Sequence, residues 1–310
     1  MKNSTRNLTT MTLIASAGLC PLARAQIATP TPITASQSVS AATKVQTFTP
    51  SKSWNVDYAD DSCALRREFT SGDDKVLFEL RQFSPGNLFS ATAASTAFRQ
   101  GSHPLTVRFL PDTKAHDASG SSSLQYPNGL FGFSWLDSFV PMEKGSDKLQ
   151  VIGSIPDRMA REKAIEGIEL SAGLTRTVTI ATGEMHQPMQ AMRKCMDELL
   201  THWGIDAAAQ RTLSRPVKAK DQQQWAKIIQ AAYPGKMLFR EMNGIVRVRV
   251  MVGTDGLPTS CHLQVPSQDK SFETTACAGL MKASRFEPAL DAAGNPVASY
   301  FVTSIFYVVS

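Results

Sequence analysis

The chain has 310 residues, 42% hydrophobic and 19% charged, which suits about two globular domains. No interior stretch reaches the ~18 uncharged apolar residues of a membrane-spanning helix, which excludes one inside the chain. The formal charge of +5 is concentrated at the start: Lys2, Arg6 and Arg24 supply three of the 32 basic residues, and residues 1–25 hold none of the 27 acidic ones. The remainder carries about +2, which gives no footing to nucleic acid or another polyanion.

Lys2 and Arg6 precede the apolar run LTTMTLIASAGLCPL, and Ala23-Arg24-Ala25 puts small residues where a signal peptidase reads. This predicts a cleaved secretory signal over residues 1–25, a mature chain from Gln26 and a periplasmic location. Two alternatives stand beside it. Cys20 raises lipid attachment, against which Leu19 sits where a small residue is expected; an inner-membrane anchor facing the periplasm needs a run nearer ~20 residues. Without Cys20 four cysteines remain, Cys63, Cys195, Cys261 and Cys277. In an oxidising compartment an even set predicts two disulfides, with three pairings formally open.

Residues 26–50, QIATPTPITASQSVSAATKVQTFTP, hold almost no large apolar side chains and predict a disordered leader. Residues 51–205 predict a β-rich domain. SWNVDYADDSCALRREF, KVLFELRQF and LTRTVTIAT are rich in β-branched and aromatic residues and are separated by Gly, Pro, Asp and Ser clusters. The domain closes with a helix, PMQAMRKCMDELLTHWG, in which Met189, Met192, Met196, Leu199 and Trp203 recur at helical spacing as one buried face. Cys195 borders that face and Cys63 lies in an early strand, which suits a bridge between them. The polar, proline-bearing stretch within RTLSRPVKAKDQQQ predicts a linker, placed at residues 206–220.

Residues 221–310 carry the clearest pattern. A helix is expected over Asp221–Ala232, with Trp225, Ile228, Ile229 and Ala232 on one face; Tyr233-Pro234-Gly235 interrupts it and the short helix KMLFREM follows. Gly244 then opens a hairpin. Val246, Val248, Val250 and Val252 face one side and Arg247, Arg249 and Met251 the other, with Asp255-Gly256 as the reversal. On the return strand Cys261, Leu263 and Val265 share a face opposite Ser260, His262 and Gln264. A helix starting at Ser271 packs Phe272, Ala276, Leu280 and Met281 inward and brings Cys277 toward Cys261. Phe286-Glu287-Pro288-Ala289 ends it, residues 291–295 form a turn, and SYFVTSIFYVV is a long terminal strand.

This order resembles the C-terminal domain of TonB-family energy transducers. The residues that carry the likeness are Tyr233-Pro234, Gly244-Ile-Val-Arg-Val-Arg-Val, Asp255-Gly256, Arg285 to Ala289, Gly294-Asn-Pro296 and the final strand. The resemblance implies an α+β fold in which a three-stranded antiparallel sheet carries helices on one face. It also implies a binding module in place of an enzyme. Members accept an extended segment of an outer-membrane TonB-dependent transporter along the last strand. Here that strand is Tyr300, Phe301, Val302, Thr303, Ser304, Ile305, Phe306 and Tyr307, with Tyr233 and Pro234 at a nearby corner. The chain departs from a working transducer in its short cleavable N-terminal run, its brief leader and its additional folded domain.

Signs of catalysis are sparse. His103, His116, His186, His202 and His262 are scattered, and no zinc-protease, phosphate-loop or nucleophile-elbow pattern occurs. Asp57, Asp60 and Asp61 read as a solvated turn. No cofactor or metal is expected. The competing expectation is an envelope ligand-binding protein or enzyme that acts through the N-terminal domain, with the TonB-like module as its tether.

Overall fold

A computed structural model describes residues 45–140, 155–265 and 269–308. The predicted signal and residues 26–44 of the predicted leader lie outside these. The N-terminal domain comprises β1 (Gln46–Pro50), β2 (Asn55–Ala59), β3 (Ser62–Ser71), β4 (Asp74–Gln82), β5 (Phe89–Ser95), β6 (Thr106–Leu110), β7 (His116–Asp117), β8 (Ser119–Gln125), β9 (Phe131–Asp137), α1 (Ile155–Ala164), β10 (Gly167–Ser171), β11 (Val178–Ile180) and α2 (His186–His202). Its strands follow the order β7-β6-β10-β11-β1-β3-β4-β5-β9-β8, with β2 on the other half of β3. Only Ala118 separates β7 from β8, so one continuous run pairs with β6 at one end of this order and β9 at the other. The sheet therefore closes on itself.

Alternation builds the interior. Cys63, Leu65 and Phe69 of β3, Val76, Phe78 and Leu80 of β4, and Phe131, Phe133 and Trp135 of β9 all point inward. Against them lies the expected face of α2, with Met189, Met192, Met196 and Leu199 buried. Cys195 on this helix is bonded to Cys63. The helix α1, absent from the sequence expectation, is tied to α2 by buried Glu162, which accepts from Arg193 at 2.7 Å and lies 3.2 Å from His186.

The last residues of the predicted leader are in fact strand. Gln46–Phe48 run parallel to Val178–Ile180, and Thr49 and Pro50 pair with β3. Phe48 is fully buried, and ladders on both sides supply the order that a polar segment lacks by itself.

The C-terminal domain comprises α3 (Ala207–Arg211), β12 (Lys218–Lys220), α4 (Gln222–Ala231), α5 (Gly235–Phe239), β13 (Gly244–Val252), β14 (Pro258–Leu263), α6 (Lys270–Ala283), β15 (Arg285–Glu287), β16 (Ala289–Leu290), β17 (Pro296–Val297) and β18 (Ser299–Tyr307). Its main sheet is three-stranded and antiparallel in the order β14-β13-β18. Val246, Val248, Val250 and Val252 are buried against Trp225, Ile229, Phe272, Ala276 and Leu280 of α4 and α6. Each such valine contributes about 1.5–3 kcal/mol.

Gly244 lets the strand pass close under α6, since a Cβ there would lie 2.8 Å from the Phe272 ring. Gly256 takes φ +77° in the reversal, where a Cβ would lie 2.2 Å from the Phe286 carbonyl oxygen. Cys261 is bonded to Cys277, which ties β14 to α6.

Three further expectations need correction. Residues 206–220 are structured: β12 pairs with β15, Ser214 donates its N–H to Leu290, and Val217 is buried in the second core. Ile228 is 53% exposed and Ala232 is exposed, because α4 needs only the Trp225–Ile229 stripe to cover the sheet. The cap of α6 is Asp269, whose carboxylate accepts from the Ser271 N–H at 2.8 Å.

The short loop closed by the second bridge sets its contribution at about 3 kcal/mol by chain entropy. Replacing both Cys261 and Cys277 by Ser is expected to lower the unfolding free energy of the C-terminal domain by about that amount in urea titrations. An unchanged midpoint would show that the bridge merely decorates a self-sufficient core.

Candidate functional site

The strand β18 lies at one edge of its sheet. On its inner side it pairs with β13 in unbroken register, from Gly244 opposite Tyr307 to Val252 opposite Ser299. Among the described residues no strand pairs with its outer side. Strand alternation sends Phe301, Thr303, Ile305 and Tyr307 to the helix face and Tyr300, Val302, Ser304 and Phe306 to the opposite face.

Both ends of this edge are occupied. At the start, the Ser299 hydroxyl is 2.9 Å from Gln210 Oε1 of α3. Near the other end, the Gln230 amide of α4 donates to the Phe306 carbonyl at 3.4 Å. Between them Phe301, Val302, Thr303 and Ser304 are half-buried. The free stretch is thus Phe301–Ile305.

The predicted Tyr-Pro corner packs at the far end. The Tyr233 ring meets Tyr307 and Phe272 edge-on at centroid separations of 5.5 and 5.7 Å, and its hydroxyl donates to the Met242 carbonyl. Pro234 occupies the N-cap of α5. Tyr233 therefore shapes the end of β18 from inside. Tyr307 is buried with its hydroxyl unpaired among the described residues, and burial raises its pKa to about 12.

Part of the face of the sheet away from the helices is covered by the N-terminal domain, while Ile245 and Phe306 on that face stay exposed. Arg249, 4% exposed, forms an ion pair with Asp61 and lies over Trp203, its guanidinium carbon 3.7 Å from the ring centroid. Trp203 is held in turn by its indole N–H, which donates to the Asp60 carbonyl at 3.0 Å, and by Tyr300, edge-on at 5.5 Å. Arg247 stacks on Phe83, and Gln264 donates to the Phe83 carbonyl at 2.6 Å. Tyr300, Leu200 and Ile205 complete the apolar part of this joint. Burial lowers the Arg249 pKa, with Asp61 opposing, and burial raises that of Tyr300.

The aspartates read as one solvated turn have separate tasks: Asp57 pairs with Arg66 and Arg81, Asp60 offers its carbonyl to Trp203, and Asp61 pairs with Arg249. Sequence reasoning misread Asp61 as solvated and missed Gln210 and Gln230 altogether. A usable signal was present on the strands: Met251, Tyr300 and Val302 add apolar groups to the arginine face, a mark of a sheet covered on both sides.

A shallow trough of about 590 Å³ lies on the outer face of the closed sheet, lined by Leu77, Leu124, Tyr126, Leu130, Arg66 and Glu79 among others.

The Arg249–Asp61 pair is expected to be asymmetric. Asp61→Ala leaves a buried cation without its partner and should cost about 3 kcal/mol, whereas Arg249→Met keeps most of the packing and leaves a carboxylate that water reaches, so it should cost less. Chemical denaturation of the two variants checks the order. Equal or reversed losses would remove the ion pair as the reason for the joint.

Residues 229–309, about a quarter of the chain, match the family described as Gram-negative bacterial TonB protein C-terminal. The match begins within α4 and takes in the whole three-stranded sheet, while the N-terminal domain and α3 fall outside it. No curated protein and no solved structure matches the chain.

Proposed function

We propose that this is an exported, non-enzymatic binding protein whose TonB-like module receives an extended segment of an outer-membrane TonB-dependent transporter, as an auxiliary to transmembrane transport. One observation carries the reading: β18 is paired on one side only, with Phe301–Ile305 free on the other. An unpaired edge offers N–H and C=O groups that a visiting backbone satisfies in register, and this gives affinity with little demand on side chains. The matched family supplies the class of partner, since a TonB-like domain is a protein-binding module.

The test uses the chain from Gln26 onward, labelled for amide NMR and titrated with TonB-box peptides from transporters. Shifts are expected along Phe301–Ile305, with slower hydrogen exchange there on saturation. A silent β18 would remove the reading. It would favour a second one, in which a ligand occupies the trough beside Leu77 and Tyr126 and the TonB-like module serves as a tether.

Periplasmic residence is supported by the N-terminal run, which has the character of a signal, and by two disulfides, which persist in oxidising compartments. N-terminal sequencing of the exported chain should begin at Gln26. A chain that retains Met1 would instead be anchored at the inner membrane.

A further inference from the structure

The apolar joint between the domains does not stop beneath the sheet. Tyr300 is buried with Leu200 and Ile205, while Val302, Ala207, Trp203 and Met251 pack against that cluster and remain only partly covered. Val302 belongs to the free stretch of β18, on the face turned toward the N-terminal domain and opposite Arg249 across the ladder. At the Ser299 end stands α3, held there by Gln210. A strand laid along β18 would run about 4.8 Å outside it and place every second side chain on this same face. The side chain beside Val302 would then continue the apolar joint outward.

We propose that α3 and the end of α2 are part of the docking site. On this geometry the half-covered surface of Val302, Ala207 and Trp203 seats one apolar side chain of the visiting segment, and α3 ends its pairing before Ser299. The inference rests on the strand-addition reading above and narrows the partner. It is an extended peptide with about five paired residues, a Val- or Ile-sized side chain beside Val302, and a backbone that turns away before Ser299. Selectivity then comes from Trp203 and Ala207, outside the segment that matches the TonB family.

The experiment titrates the chain from Gln26 onward with two synthetic peptides. One alternates valine and threonine between terminal lysines; the other has glutamine in place of each valine. Affinity is read by calorimetry and position by amide NMR. The wild type should prefer the valine peptide about tenfold, the ~1.4 kcal/mol of a partly buried apolar side chain. Ala207→Glu places an acid in the first turn of α3, where helix dipole and cap tolerate it. It should keep the melting temperature and the shifts at Phe301–Ile305 while abolishing the preference. Val302→Thr, isosteric and suited to a strand, should reduce the preference in the same way and decides the matter if Ala207→Glu does not fold. A preference unchanged in either folded variant, or shifts that extend through Ser299 and Tyr300, would overturn the seat and leave strand addition standing. No β18 shift with either peptide, in a chain that also ignores TonB-box peptides, would remove both.

Discussion

The contact of Arg249 with Trp203 and Asp61 is the constraint on which the rest of the molecule depends. A guanidinium is costly to bury without a carboxylate and a polarisable surface. Here Asp61 comes from the turn between β2 and β3, and the ring from the end of α2. Both sit in the N-terminal domain. These contacts tie the sheet of the C-terminal domain to its neighbour, with Tyr300 beside the same indole.

That attachment decides which surfaces stay available. Helices cover one face of the three-stranded sheet and the N-terminal domain covers part of the other. Among the described residues, the outer strands β14 and β18 each pair with β13 alone. Cys261 ties β14 to α6 from beneath, whereas β18 keeps a run of five residues between Gln210 and Gln230. Recognition at such a place is read first through the backbone and only then through side chains. The chain's few charges near that run, chiefly Arg247 and Arg249, are already engaged with Phe83, Trp203 and Asp61.

Much of this was legible in the residues. The valine–arginine alternation of β13, the Asp255-Gly256 reversal and the methionine face of α2 follow from local periodicity; the cysteines offered an even set and faces that suited the two bridges, with the pairing left to the fold. The failures share a different cause. Gln46–Pro50 is polar and short, and only partners more than a hundred residues away and some twenty away make it a strand. Asp61 looked solvated because its partner, Arg249, lies 188 positions later. Ile228 looked buried because helical spacing says which residues share a face but not how wide a face the neighbour needs. Gln210 and Gln230 carry no pattern at all. They matter only because the fold sets them at the two ends of one strand.

The position of the first bridge reaches further than the core it closes. It holds α2 to β3 through Cys195, and two helical turns later the same helix ends at Trp203, the platform on which Arg249 rests. That α-helix works as a beam, clamped to the closed sheet by sulfur at mid-length and carrying the second domain on its tip. Cys63 and Cys195 are both buried, so the crosslink that seats this helix and the indole that seats Arg249 belong to one and the same element.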